Sequence, residues 1–205
     1  MDLAGAVWEG RKEADGRFDG LDFEAKRLRH CKFTKCSFQN VNFQEAETVH
    51  CLFSECNFKY AHFNASSHQN SGFVNCNFTG GNFFISTFQN CKMTGSGFDG
   101  ANLDGIRITE GDWSYVNLRM ANLKKLDLRK VQFTEADFYG CNLEQADLRG
   151  ADLANANLAK AGLYGADLRD ANLNGIDFEG VNLKGARIDP LQAVMILQSL
   201  GVKVG

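Results

Sequence analysis

The chain has one proline, Pro190, in 205 residues, and nowhere do eighteen apolar residues run together. A membrane-spanning helix needs about 20 such residues, so none is expected. The N-terminal stretch MDLAGAVWEGRKEADG lacks a basic segment followed by an apolar core and a cleavage site, so the expected location is the cytoplasm. No glycine-rich loop stands between a strand pattern and a helix pattern to cradle phosphate. Nor does the sequence place a nucleophile, a base and an orienting group together. The chain therefore reads as a non-enzyme with no cofactor and no metal. Charge of one sign is missing as well, with 22 Lys and Arg against 25 Asp and Glu, net −3. Between Lys59 and Lys92 there is no charged residue at all.

What the chain does have is a period of five. Counting from Phe18 to Ile188 gives thirty-five consecutive centre positions without an insertion, and only Thr48 and His68 among them are not hydrophobic. The residue two before each centre is small or moderately apolar almost throughout, as at Cys31, Ala61, Ser96, Ala121 and Ala171. Five is neither the helical nor the strand period. Two residues pointing the same way form a short extended segment, and the remaining residues turn a corner. Four right-angle corners close a coil of twenty residues. Correlations at twenty support this: Asn82, Asn102, Asn122 and Asn142; Asp127, Asp147 and Asp167; Arg129, Arg149 and Arg169.

The units ADLRG, ADLAN, ANLAK, ADLRD and ANLNG carry a resemblance to the pentapeptide-repeat family. That resemblance implies an all-β solenoid, a right-handed quadrilateral parallel β-helix, here with a short C-terminal α-helix. One continuous pattern predicts one domain, with residues 1–15 as an N-terminal cap or partial first coil, 16–188 as the β-helix, and 189–205 as a capping or dimerisation helix and tail. Leu3 and Trp8 keep the phase of the repeat, whereas Glu13 interrupts it. All seven cysteines fall at the small inward position, which reads as reduced packing residues rather than a disulfide or zinc framework. His30 and His50 share a corner column, but the repeat supplies no third ligand. Thr48 and His68, one coil apart, mark a core defect with the histidine bonded to Thr48 as one reading.

Asp189 is a suitable N-cap, Pro190 fits the first helical position and Gly201 closes the segment. Leu191, Val194 and Met195 form one apolar arc; Ile196, Leu197 and Leu200, with Ala193, form another. Two arcs need two covers. The open coil end is one, and a second copy is the other, which makes a two-fold dimer; a local cap that buries both arcs is the alternative. A rod followed by a short apolar helix and a tail such as LGVKVG resembles the subgroup of fluoroquinolone-resistance and microcin- or albicidin-immunity proteins. Its members are understood to act on DNA gyrase and related type II topoisomerases, with the helix as dimer element and the rod as a DNA mimic. The uninterrupted repeat is similar to the loop-free members of that subgroup.

Charge distribution bears on mimicry. From residue 96 on, two adjacent sides carry Asp99, Asp112, Glu135, Asp137, Asp152, Asp177 and Glu179 against Arg119 and Lys160, net −5, while the other two come to net 0. Such a flank suits a positively charged DNA-binding saddle of gyrase or topoisomerase IV; simple solvation of outward residues is the plainer reading. In the uncharged middle, Phe84 and Ile85 fall at outward or corner positions. They are either a contact patch or two residues that cover each other. The leading expectation is a topoisomerase-protecting DNA mimic that does not itself bind nucleic acid or membrane, and the alternative is an adaptor rod with an unrelated protein partner.

Overall fold

In the computed structural model, which describes residues 7–205, the chain winds as a parallel β-solenoid. β1 (Val7–Glu9), β3 (Arg27–Arg29), β5 (Glu47–Val49), β7 (Ser67–Gln69), β9 (Thr87–Lys92) and β10 (Arg107–Asp112) stack on one face, with the last residues of β9 and β10 turning onto the next. β2 (Lys12–Ala14), β4 (Lys32–Thr34), β6 (Leu52–Ser54) and β8 (Gly72–Val74) stack on the next. Every paired residue lies twenty positions from its partner, in these strands and in the single bridges such as Asp137↔Asn157 that continue the stack. The coil thus has four faces of five residues. We number them 1 to 4 by their centres, beginning with Leu28, Phe33, Phe38 and Phe43. Glu13 keeps the phase after all, pairing with Phe33, and the Arg11 guanidinium 3.0 Å away neutralises it. Residues 7–15 therefore begin the first coil, while Leu3 lies outside the described residues.

The centres and the residues two before them fill the interior. In the N-terminal half, phenylalanines stack at the coil spacing, Phe18 on Phe38 at 4.6 Å and Phe38 on Phe58 at 4.8 Å; leucines take over in the C-terminal half. All seven cysteines are buried. The corners are made by one backbone conformation. From Gly10 to Gly185 every fifth residue has a positive φ, and twenty-four of these are not glycine. Each such residue costs about 1 kcal/mol or more, and the β-branched Ile85, at φ 54°, is the most costly kind. The cost is offset by the coil-to-coil hydrogen bonds that the corner allows, such as Lys125 N to Glu144 O at 2.9 Å.

Large corner side chains lean onto the coil above. The Tyr60 ring covers Gly80, Met120 covers Gly140 and Ile85 covers Gly105. This couples a bulky corner residue to a glycine twenty positions later.

Among the described residues the ladder opens in two places. At the C-terminal end, on face 3, Leu158 N, Lys160 N and Asp177 N make no backbone bond between 156–160 and 176–180, and no bridge joins Asn157 to Asp177. The other break lies inside the rod. Leu123 N and Lys125 N bond up to Asn142 O and Glu144 O, but one coil lower Leu103 N and Gly105 N make no such bond. Glu110 N, Asn122 N and Asp127 N also lack the backbone bond across this gap that their counterparts make elsewhere. Among the described residues no bridge joins Asn102 to Asn122 or Arg107 to Asp127. The ladder is thus open on faces 4 and 1, between 100–110 and 120–130, while faces 2 and 3 stay closed through Gln132 N to Gly111 O and Asn117 N to Ser96 O. The asparagine column shows the same break: Asn102 donates to Asn82 and Asn142 to Asn122, but Asn122 turns to Asp104.

The turn that joins the two lips of this seam holds Trp113, fully buried, in the column that also holds Phe33, Phe53, Phe73, Met93, Phe133, Leu153 and Leu173. Its indole N–H has no hydrogen-bond partner. An indole in a close-packed column of smaller side chains, with Met93 one coil below it and Phe133 one coil above, forces its surroundings to shift. A second adjustment sits two residues before it, where Gly111 has φ 105°. A methyl group there would meet the Cys91 carbonyl oxygen, and the Cys91 nitrogen at 2.9 Å. Gly111→Ala is expected to destabilise the fold by at least about 2 kcal/mol. Gly97→Ala, which has open space and no positive φ, is expected to stay within about 0.5 kcal/mol of the parent chain in urea unfolding.

Candidate partner-binding surfaces

The fold brings the seven acids of the sequence-predicted flank onto two adjacent faces. Asp112, Glu135 and Asp152 lie on face 2, and Asp99, Asp137, Asp177 and Glu179 on face 3. Within each face the repeating acids are two coils apart, Asp112 to Asp152 and Asp137 to Asp177, about 10 Å at the strand spacing. Neutral residues in neighbouring coils donate to some of them. Asn172 Nδ2 reaches Asp152 and Asn157 Nδ2 reaches Asp137, both at 2.9 Å, and the Tyr115 hydroxyl reaches Glu135 at 3.0 Å. Because Asp112, Asp137, Asp152 and Asp177 alternate between the faces, they form two staggered rails along one edge of the rod.

Partners already hold part of this charge. Asp137 accepts from Arg119 Nη1 at 2.9 Å, and Lys92 lies 3.5 Å from Asp112. Burial works to raise the Asp112 carboxyl, but the Ser114 amide and hydroxyl, the Thr94 hydroxyl and Lys92 outweigh it and hold it below the ordinary carboxylate range. The two cations of the flank, Arg119 and Lys160, both lie over the Tyr139 ring, at 4.3 Å and 5.1 Å.

On face 1 the charges are arranged differently. Asp127, Asp147 and Asp167 repeat at every coil, each clasped at 2.6 Å by Arg129, Arg149 or Arg169. Hydrogen bonds from these arginines hold the three carboxyls low. From residue 96 on, faces 1 and 4 together carry eight carboxylates and nine cations, net +1. This corrects the expected 0, since the coil register now fixes which corner residues belong to which face.

Phe84 and Ile85 are both exposed, at 47% and 50%. Ile85 leans onto Gly105 and forms one lip of a groove at the seam. His30 and His50 stack at 5.2 Å, and among the described residues no three potential metal ligands come together. His68 is fully buried, in a network with no counterpart elsewhere in the core. Its Nδ1 lies 2.8 Å from Thr48 Oγ1 and its Nε2 2.9 Å from Ser66 Oγ. Ser66 donates to Phe63 O and so accepts from Nε2–H, which leaves Nδ1 to accept the Thr48 hydroxyl proton, and Ser71 Oγ lies 3.3 Å from Thr48 Oγ1. Every polar atom is satisfied, so this is an internal strut with no access to a reactant.

α1 (Pro190–Ser199) closes the rod through a residue that helical periodicity does not single out. Asp189 accepts from Gln192 N and donates its own N–H to Gln192 Oε1, both at 3.0 Å. The same glutamine side chain donates to Leu168 O at 2.6 Å and Ala171 O at 2.9 Å. Ile196 is buried in the core and Met195 packs partly against it, so both serve the cap. Leu191 is 70% exposed and Leu197 and Leu200 are also open to solvent, with Val194 half-buried. Among the described residues no helix is long and apolar enough to cross a membrane.

The family description "pentapeptide repeat region" matches residues 81–158, and "pentapeptide repeats (8 copies)" matches 27–59 and 146–185. The chain is a pentapeptide-repeat protein. A trypsin-treated variant of QnrB1, described as a plasmid-mediated fluoroquinolone resistance protein, shares its fold with a TM-score of 0.85 at 22% identity, over 96% of this chain and 99% of that one. A second trypsin-treated variant aligns with a TM-score of 0.64 at 22% identity, over 97% and 100%. HetL from the cyanobacterium Nostoc, described as involved in the regulation of heterocyst differentiation, aligns with a TM-score of 0.60 at 20% identity, over 88% of each chain. No curated protein matches the sequence. At these identities the likeness is one of fold.

For this pentapeptide-repeat protein the His68 strut generates a pH dependence. Burial pushes the His68 pKa down to about 3, whereas the unfolded side chain titrates near 6.5. Below pH 6.5 the unfolded chain gains a proton that the native chain refuses, so stability falls as pH falls, by about 1.4 kcal/mol per unit, until the native pKa is reached. Urea unfolding at pH 7 and pH 5 is expected to differ by about 2 kcal/mol. His68→Phe, which leaves Ser66 bonded to Phe63 O and frees Thr48 to donate to Ser71, is expected to remove most of that difference.

Proposed function

We propose that this pentapeptide-repeat protein binds DNA gyrase, and the related topoisomerase IV, in place of DNA and so protects the enzyme from topoisomerase poisons. It acts by binding rather than by catalysis, in the cytoplasm where these enzymes work. The observation that carries the reading is the pair of staggered carboxylate rails along the edge between faces 2 and 3. A duplex likewise offers a binding protein two offset rows of negative charge.

The magnitudes set the kind of mimicry. From Asp99 to Glu179 the flank spans four coils, about 19 Å. Its net −5 amounts to roughly one charge per 4 Å, against one per about 1.7 Å in duplex DNA. The flank therefore competes through placement of a few carboxylates more than through overall potential. Doubling the rod through the free apolar arc of α1, with Leu191, Val194, Leu197 and Leu200 as the contact, lengthens the negative edge. The fold shared with QnrB1, described as a fluoroquinolone resistance protein, is consistent with this use. Exposed Phe84 and Ile85 favour a second reading, an adaptor rod with an unrelated protein partner.

The decisive experiment titrates purified protein into gyrase cleavage and supercoiling assays with a fluoroquinolone or a peptide poison. Relief of poison-induced cleavage is expected. Asp137→Lys combined with Asp152→Lys should raise the protein concentration needed for half-relief at least about tenfold, with circular dichroism unchanged. Relief that survives the charge reversal would sink the mimicry, and no relief by the parent chain would move the reading to the adaptor. Leu191→Glu, at the most exposed position of the arc, is expected to turn a dimer into a monomer in sedimentation. Truncation before Asp189 is a poorer test because it also uncovers Leu168 O and Ala171 O.

A further inference from the structure

The seam opens into a groove of about 1130 Å³ on face 1, reaching from Ile85 and Thr87 to Asp170. Its floor is apolar, with Ile106, Ile108 and Leu126. The Arg107, Lys125 and Lys130 side chains on its rim make no ion pair or hydrogen bond among the described residues. Of the other charged residues that line it, Asp127, Arg129 and Arg149 are tied up in the arginine–aspartate ladder, while Glu110 and Asp170 form no ion pair among the described residues, so five cations face three acids. The groove thus has surplus positive charge on a chain of net −3. The seam also leaves both kinds of backbone group without a backbone partner in this groove. The Gly105, Glu110 and Asp127 amides lack an acceptor, and no backbone N–H donates to Ile106 O.

We propose that this groove is a binding site for an extended acidic peptide segment of a protein partner. Each of its features selects that occupant. The three unpaired cations call for carboxylates, and the apolar floor calls for aliphatic side chains between them. Unpaired amides beside an unpaired carbonyl call for a ligand that brings acceptors and donors together. A peptide backbone does so at each residue, whereas a simple anion brings acceptors alone. Ile85 gains a role here. A β-branched residue in a left-handed corner is a strained choice, and at this lip it supplies the apolar edge that glycine would leave open. The site lies on face 1 and does not include the acids of the edge between faces 2 and 3, so it does not rest on the topoisomerase reading.

The test uses the full chain and a fluorescent peptide of about eight residues alternating glutamate with valine, long enough to cross the groove when extended. The comparison peptides have lysine in place of glutamate, or serine in place of valine. The acidic, valine-containing peptide is expected to bind most tightly, more weakly at high salt. Lys125→Glu combined with Lys130→Glu should weaken it at least about tenfold, while Lys184→Glu, on the same side but away from the groove, should not. Equal binding of the acidic and basic peptides, no binding of the acidic one, or full affinity in the double variant would each overturn the proposal. Self-association of the chain that is abolished by the double variant, without peptide binding, would assign the groove to a second copy instead.

Discussion

A left-handed backbone at every fifth residue is the constraint on which the rest of this structure depends. It turns the chain through each corner and so sets the face at five residues and the coil at twenty. It also directs the backbone N–H and C=O groups up and down the rod axis, where only another coil can satisfy them. Glycine meets the requirement freely, but twenty-four other residues meet it under strain. What makes that tolerable is repetition, since each strained corner is held between corners of the same shape above and below. Stability in such a stack is a sum over neighbouring coils, and it is weakest wherever one interface loses its bonds. The seam between 100–110 and 120–130 is one such interface and the face 3 step between 156–160 and 176–180 is another, and the seam divides a phenylalanine-lined stack from a leucine-lined one.

Two solutions to like-charge repulsion appear in the same rod. On face 1, aspartates repeat at every coil and arginines link them, both within a coil and to the next through Arg129 to Asp147 and Arg149 to Asp167. That face is close to neutral and internally engaged. On the edge of faces 2 and 3, repeating acids occupy every second coil, where Asn157 and Asn172 donate hydrogen bonds to Asp137 and Asp152 and only Arg119 and Lys92 supply countercharge, to Asp137 and Asp112. There the charge stays available to a partner. An edge built in this way is sensitive to salt, whereas the face 1 ladder is more locally screened by its own arginines.

The sequence makes the coil legible because the repeat is written in the same residues that fill the core, from Phe18 to Ile188. The helix start is equally readable, since Asp189 and Pro190 act locally. The acidic edge followed once the period was known, because face assignment is arithmetic. The seam was not readable: Asn82, Asn102, Asn122 and Asn142 suggest one continuous ladder, and only the size of Trp113 and the turn of Asn122 toward Asp104 reveal that it breaks. The phase of Glu13 is hidden in the sequence because a nearby Arg11 allows a carboxylate to keep a centre position. Gln192 was overlooked for a related reason, as a polar residue on an apolar helix gives no signal of the two carbonyls it must reach.

That glutamine has a consequence for how the rod is made. A chain emerging from its N-terminus can lay each new coil on the one before it, so the growing rod always ends in a freshly formed, uncovered edge. Leu168 O and Ala171 O belong to the last such edge, and the side chain that covers them lies more than twenty residues further along. Throughout synthesis the rod therefore remains open to whatever strand comes near, a neighbouring nascent rod included. It becomes a closed object only when the final helix folds down over its end.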